Sequence, residues 1–340
     1  MTGPTRDDFR PKRWLRGPHF QTILPNWPPR RARVERRALP LAVAAEELLV
    51  DCGDGVTLQA FHSSPSHSVF EGRGREPGKK LAVILHGWEG SADSTYMLSL
   101  GQTFFAAGFE TIRLNLRDHG ATHHLNRELF HSCRLPEVVG AVRALAARFP
   151  RLPIVLAGFS LGGNFMLRVA ADREARDLPI ERVIAISPVL DPAITLETLE
   201  RGFPVYHSYF VRKWSRSLAK KQLAWPSHYD FDSLLRRKSL RVMTEELVLA
   251  HTDYPTMKEY LAGYAITGNR LTTLAAPATV LTSLDDPIID NRDLARLARS
   301  PHLDIVTTAR GGHCGFIETL GDSSWVDGEI HALLSRNPDS

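Results

Sequence analysis

Cysteine is scarce in this chain: 340 residues contain only Cys52, Cys133 and Cys314. An odd, widely spaced set supplies neither a disulfide framework nor the paired spacing of a zinc site, so a reducing compartment and a cytoplasmic protein are expected. Long apolar runs are also missing. Nothing approaches the roughly 18 consecutive apolar residues of a membrane span. The opening "MTGPTRDDFRPKRWLRG" has no apolar stretch of the kind a secretory signal carries, which predicts that the chain is not exported. Zinc-finger and RNA-recognition signatures are absent, and no nucleic-acid partner is expected. The Lys-Ser/Thr of a phosphate loop and a G-x-G-x-x-G dinucleotide fingerprint are missing too, so neither a cofactor nor a metal is expected. Acidic residues are few at the start. Residues 1–40 hold ten Lys/Arg against three Asp/Glu, a balance of +7 in a chain whose net charge is +4. This basic, Pro-rich arm is expected to pack on the domain surface. It is also a candidate for peripheral contact with an anionic membrane.

What is present is a rhythm of short apolar runs separated by helix-length segments. "EELLVDCGDGVTLQAFH" reads as a hairpin turning at Gly53-Asp54-Gly55. The polar stretch "SSPSHSVFEGRGREPGKK" reads as a mobile loop. Then "LAVILHG", "FETIRLNLRDHG", "PIVLAGFS", "IERVIAISPV", "PATVLTSLDDP" and "LDIVTTARGGH" alternate with amphipathic helical patterns and a closing helix, "WVDGEIHALLS". Such alternation predicts an α/β fold with a mostly parallel, doubly wound sheet, whose functional groups lie at the carboxyl ends of strands. Residues 191–270 break the rhythm. They are aromatic, basic and helical in pattern, with no clear buried strand, and read as an inserted helical cap. The core is then 41–190 and 271–340, with 1–40 as the arm.

The stretch "IVLAGFSLGGNFMLRVAA" places Ser160 between Gly158 and Gly162, after a buried strand and before a helix. A G-x-S-x-G pattern alone is weak, and Ser160 could sit in an ordinary tight turn. In a strand–turn–helix context the pattern describes an elbow that holds a serine Oγ above the sheet edge as a nucleophile. Such a serine needs a base, and the base needs an acid, in the chain order Ser, acid, His. His313 follows the last apolar strand, after Gly311-Gly312. Asp285 and Asp286 follow the strand before it. Asp286 is preferred because Pro287 and Ile288-Ile289 come directly after it. Asp285 is left to solvent or to bracing a loop, and Asp191 is a third candidate. The oxyanion donors are expected to be the backbone amides of Leu161, at the helix start, and of Trp88, after the "LAVILHG" strand. His86 and Glu89 are read as bracing that loop. The histidines of "RDHGATHHLNRELFHSC" (His119, His123, His124 and His131, with Cys133) are read as making hydrogen bonds rather than holding metal.

These segments together resemble the α/β-hydrolase superfamily. Within it they are similar to the branch of bacterial YheT-type esterases and eukaryotic ABHD1/2/3-type lipid hydrolases. "FRPKRWLRGPHFQTILPNW" carries a Pro-His-x-Gln-Thr core. "HGWEGSADSTY", "LRDHGATHHLNRELFHS", "GFSLGGN", "DDPII" and "GGHCGF" follow in order. The chain departs at Arg117-Asp118-His119-Gly120, where relatives commonly carry Arg-Gly and a small residue. The resemblance implies a Ser160–Asp286–His313 triad and an esterase or lipase-like activity on small-molecule acyl esters. Medium or long acyl chains are expected from the apolar and aromatic cap. The alternatives are the same fold acting on amide, thioester or other bonds, and a binding module with a silent triad.

Overall fold

The computed structural model describes residues 5–6, 8–67 and 80–335. The strands are β1 (Thr5–Arg6), β2 (Ala45–Asp51), β3 (Thr57–Ser63), β4 (Leu81–Leu85), β5 (Glu110–Leu114), β6 (Ile154–Phe159), β7 (Ile180–Ile186), β8 (Ala278–Ser283) and β9 (Leu303–Thr308). They form one sheet in the order β1-β9-β8-β7-β6-β4-β5-β3-β2. Strand β3 runs antiparallel to β2 and to β5, and the other pairs are parallel. The hairpin turns where expected, with Gly53, Asp54 and Gly55 all at positive φ. Strands β4, β5, β6 and β8 are buried at every position. This explains why their sequences show continuous apolar or mixed runs instead of alternation: helices cover both faces of a parallel sheet.

The helices are α1 (Pro18–Ile23), α2 (Pro28–Arg37), α3 (Leu39–Val43), α4 (Thr95–Ala106), α5 (Leu135–Arg148), α6 (Leu161–Ala171), α7 (Pro192–Arg201), α8 (Pro204–Ala224), α9 (Leu240–His251), α10 (Met257–Gly263) and α11 (Trp325–Ser335). Helix α6 packs in one apolar cluster with residues of α5 and α7, while α4 and α11 contribute to the cluster on the opposite face. The early basic segment is mostly helical. Val34, Ala38, Leu41 and Ala44 form a separate cluster with Leu98 and Phe105 of α4. Strand β1 adds two residues beside β9.

Residues 192–263 contain α7 to α10. Helix α7 starts at Pro192, with Asp191 capping the amides of Ala193 and Ile194. Ser239 and Thr256 cap α9 and α10 in the same way. The 21-residue α8 is tied to the core by a buried ion pair. Lys221 donates to Asp118 Oδ1 at 2.8 Å and to the carbonyls of Asn126 and Glu128 at 2.6 and 3.1 Å. Asp118 is held at φ +57° and also accepts from the amide of Phe130. The Arg117-Asp118-His119-Gly120 segment therefore carries the core side of the α8 anchor. Of the loop expected over 63–80, residues 68–79 lie outside the described residues. Among the described residues no helix is long and apolar enough to cross a membrane.

Candidate active site

Ser160 sits between β6 and α6 with φ +52° and ψ −118°, a conformation that costs a non-glycine residue about 1–3 kcal/mol and persists only where packing enforces it. The enforcement is visible in its neighbours. A Cβ on Gly158 would lie 2.4 Å from the Gly162 carbonyl carbon, and one on Gly162 would lie 2.3 Å from the Leu85 oxygen. Both glycines are there because backbone meets backbone. The Ser160 amide donates to Ile186 O at 2.8 Å, and its carbonyl receives the Asn164 amide at 3.0 Å.

His313 lies on the loop after β9. Its Nε2 is 3.0 Å from Ser160 Oγ, and its Nδ1 is 2.8 Å from Asp286 Oδ2. With Nδ1–H donating to the carboxylate, Nε2 presents a lone pair that accepts the serine hydroxyl proton. The Asp286 side chain is fully buried. Its second oxygen accepts the amides of Ile288 and Ile289 at 2.9 and 3.0 Å, a local turn that fixes the carboxylate. Asp285 points elsewhere and accepts the Gly312 amide at 2.9 Å. Asp191 caps α7 and pairs with Arg296 at 2.8 Å. Burial, the largest single influence on His313, lowers its pKa. The charge of Asp286, with Cys314 alongside and hydrogen bonds to both, overrides it and holds the imidazole well above its usual 6.5.

Leu161 opens α6, so its amide points out of the helix start without an intrahelical acceptor. Trp88 follows Gly87, which packs so tightly that a Cβ there would lie 3.2 Å from Ser160 Cβ. Among the described residues neither amide has an acceptor. The loop is braced from behind. His86 is fully buried; its Nδ1–H donates to Gly87 O at 2.8 Å, and its Nε2 accepts the Leu116 amide at 3.1 Å. Burial and the nearby His119 keep His86 neutral, its pKa well below 6.5. The Gly87 amide donates to Tyr96 Oη at 3.1 Å. The Trp88 ring is stacked by Phe210 (centroids 5.1 Å apart, planes at 10°) and met edge-on by Trp214, both on α8. Burial pushes the Glu89 carboxyl up to about 7.

Ser160 and His313 open into a cavity of about 720 Å³, within the size range of small-molecule sites. Trp88, Phe210, Trp214, Leu247, Val248 and Ile288 give it an apolar wall, with Tyr206, Tyr260 and Tyr264 adding aromatic surface. The histidines of the 119–131 loop go separate ways. His119 Nδ1–H donates to Arg117 O, and His123 pairs with Ser217 Oγ. Among the described residues no group of three or more His, Cys, Asp or Glu side chains is placed to hold a metal ion.

Sequence reasoning passed over one set of residues at the site. His19, Gln21 and Thr22 stand in the Pro-His-x-Gln-Thr stretch, for which the sequence alone indicates no task. The His313 amide donates to Thr22 Oγ1 at 2.9 Å. The partners of Thr22 and Gln21 on the His313 loop lie 291 and 296 positions away, and the short helix "PHFQTI" carries no local pattern that marks them.

The sequence model of the family described as alpha/beta hydrolase fold matches residues 81–320. "Putative esterase YheT" of Escherichia coli (strain K12) is 27% identical over 96% of this chain and 93% of its own length. Phospholipase ABHD3 of Mus musculus is 22% identical over 70% of this chain, a match that spans 58% of the mouse protein. Among solved structures, the Pyrococcus furiosus esterase Pf2001 superposes with a TM-score of 0.55 at 14% identity, covering 86% of this chain and 92% of that one. This last likeness concerns the fold.

Proposed function

Because this chain belongs to the alpha/beta hydrolase fold family, we propose that it is a serine carboxylester hydrolase working through an acyl-enzyme. The observation that carries the reading is the continuous hydrogen-bond path Ser160–His313–Asp286, opening on an apolar cavity. The esterase and phospholipase names of the relatives agree with it. Ser160 Oγ attacks the acyl carbonyl as His313 Nε2 takes its proton, and Asp286 stabilises the imidazolium that forms. The negative charge on the carbonyl oxygen falls to the amides of Leu161, at the start of α6, and of Trp88, in the loop after β4, a preorganised pair. Imidazolium then protonates the leaving alcohol. Water enters, His313 accepts its proton, and the acid is released while Ser160 recovers its hydrogen. Residues 191–270 act as a cap that shapes the acyl site.

The cavity's apolar wall points to medium or long acyl chains. A buried methylene contributes up to about 0.8 kcal/mol, roughly fourfold in kcat/KM, when the contact persists in the transition state. In a series of p-nitrophenyl esters from acetate to decanoate, kcat/KM is expected to climb with chain length until the cavity is filled, and Ser160→Ala is expected to reduce every member to background. A series that falls from acetate onward argues against the acyl assignment. Activity surviving in Ser160→Ala argues against the nucleophile.

The exposed Trp14, Phe20, Ile23 and Trp27 stand among exposed Lys12, Arg13, Arg16, Arg31, Arg33 and Arg36. Ile23, Trp27 and Arg31 also line the cavity. Peripheral contact with an anionic lipid surface belongs to the same reading.

A further inference from the structure

The loop that carries His313 has few internal bonds of its own. Gly312, Cys314 and Phe316 are all at left-handed φ (55°, 61° and 46°), so successive amides point in different directions. The core holds Gly312 most directly: Asp285 Oδ1 accepts its amide, and Ser283 Oγ donates to its carbonyl at 2.8 Å. Past that point the core contributes the Ser187 hydroxyl, which accepts the Cys314 amide at 3.4 Å, and the Phe316 amide turns back to Gly311 O. The remaining partners come from the other end of the chain. The His313 amide donates to Thr22 Oγ1, 291 positions away in sequence. The Ile317 amide donates to Gln21 Oε1 at 2.9 Å, while Gln21 Nε2 donates to Ile317 O at 2.8 Å and to Leu15 O at 2.9 Å. Gln21 is fully buried. A Cβ on Gly315 would lie 1.9 Å from Gln21 O, and one on Gly312 would lie 2.5 Å from Pro18 O. Further contacts run along the same seam: the Lys12 amide donates to Glu318 O and Arg310 to Arg16 O.

We propose that α1 is a template for the histidine loop, with Gln21 and Thr22 as positioning residues that set the height and tilt of the His313 imidazole over Ser160. The Gln21 amide reads the loop as a neighbouring strand would, giving and taking one hydrogen bond with Ile317. Thr22 fixes the backbone nitrogen only two covalent bonds from the imidazole-bearing Cβ. The outer side of the template touches the cap. His19 Nδ1 lies 2.8 Å from Tyr206 Oη, and its ring lies 4.5 Å from that of Phe203. One short helix thus connects the base of the reaction to the wall of the acyl site. The Pro-His-x-Gln-Thr stretch acquires a task at each of its polar positions: His19 toward α8, Gln21 and Thr22 toward the histidine loop. The proposal rests on the hydrolase reading for its effect on rate, while the loop anchoring can be measured without any substrate.

The test uses the full chain with Thr22→Val, which removes the acceptor at nearly constant shape, and Thr22→Ser, which keeps it. Thr22→Val is expected to lower kcat and the rate of fluorophosphonate labelling at Ser160 about 10- to 100-fold, with KM within about twofold of wild type. Thr22→Ser is expected to recover most of both. Hydrogen–deuterium exchange is expected to quicken at residues 311–317 in Thr22→Val, and further in Gln21→Leu, with α6 unchanged. Wild-type kcat and exchange in Thr22→Val would overturn the proposal, as would an equal loss in Thr22→Ser. If the unaltered chain is neither labelled nor active, it is the hydrolase reading that fails. The exchange result then decides the template alone.

Discussion

Asp285 and Asp286 are adjacent and chemically identical, and only one of them faces His313. The difference comes from the turn after β8. Ile288 and Ile289 amides hold one oxygen of Asp286 and leave the other for Nδ1, whereas Asp285 is spent on Gly312. Asp286→Asn is therefore expected to cut the acylation rate by about 10³–10⁴-fold, because the amide orients the wrong tautomer. Asp285→Asn keeps an acceptor for Gly312 and should cost far less. Rates of p-nitrophenyl ester turnover in the two variants check this, and equal losses would count against the assignment. The imidazole must be neutral to act as base. Since its pKa is held above 6.5, kcat/KM is expected to rise with pH through an apparent pKa above that value. In Asp286→Asn the limb should move to lower pH. The preference for Asp286 was legible in the sequence through Pro287 and the isoleucines. The role of Gln21 was not, since its partners lie at the far end of the chain and no local pattern announces them.

Strands β4 and β6 could be read directly, because burial on both faces leaves an unbroken apolar run, and β7 and β8 through shorter apolar stretches at residues 183–186 and 280–281. The β2–β3 hairpin was legible from Gly53-Asp54-Gly55. Helix α2, "PPRRARVERR", was not. Its composition resembles a solvated arm, and it is helical because Pro28 starts it and Val34 packs, with Ala38 beyond it, against Leu98 and Phe105. Strand β1 is two residues long and exists only as a partner for β9. The anchoring of α8 was equally hidden, although Lys221 and Asp118 were in plain view. Both are almost fully buried, and burial lowers the Lys221 pKa and raises that of Asp118, against their mutual attraction. Removing one partner strands a charge in the interior. Lys221→Ala is expected to destabilise the fold by about 3–5 kcal/mol in urea unfolding, and replacement of both by apolar residues of similar size should recover part of that. A Lys221→Ala variant as stable as wild type would show that the pair is not an anchor.

At the scale of the whole molecule, charge and apolar surface are distributed unevenly. Ile23, Trp27 and Arg31 carry part of the basic segment and one of its exposed tryptophans to the cavity. Flotation with vesicles containing phosphatidylglycerol is expected to carry the protein at low salt and lose it at high salt. Neutralising Arg13 and Arg16 to Gln should weaken it by about 1 kcal/mol per residue near the surface. Absence of flotation at low salt would leave the basic face without a lipid role. The sheet, the elbow and the two distant loops matter to function only if they make one hydroxyl reactive. Fluorophosphonate labelling followed by peptide mapping measures that reactivity most directly. The account predicts a single adduct on Ser160, lost in Ser160→Ala and strongly slowed in Asp286→Asn. An unlabelled Ser160 in the folded protein, or an adduct that persists in Ser160→Ala, would contradict it.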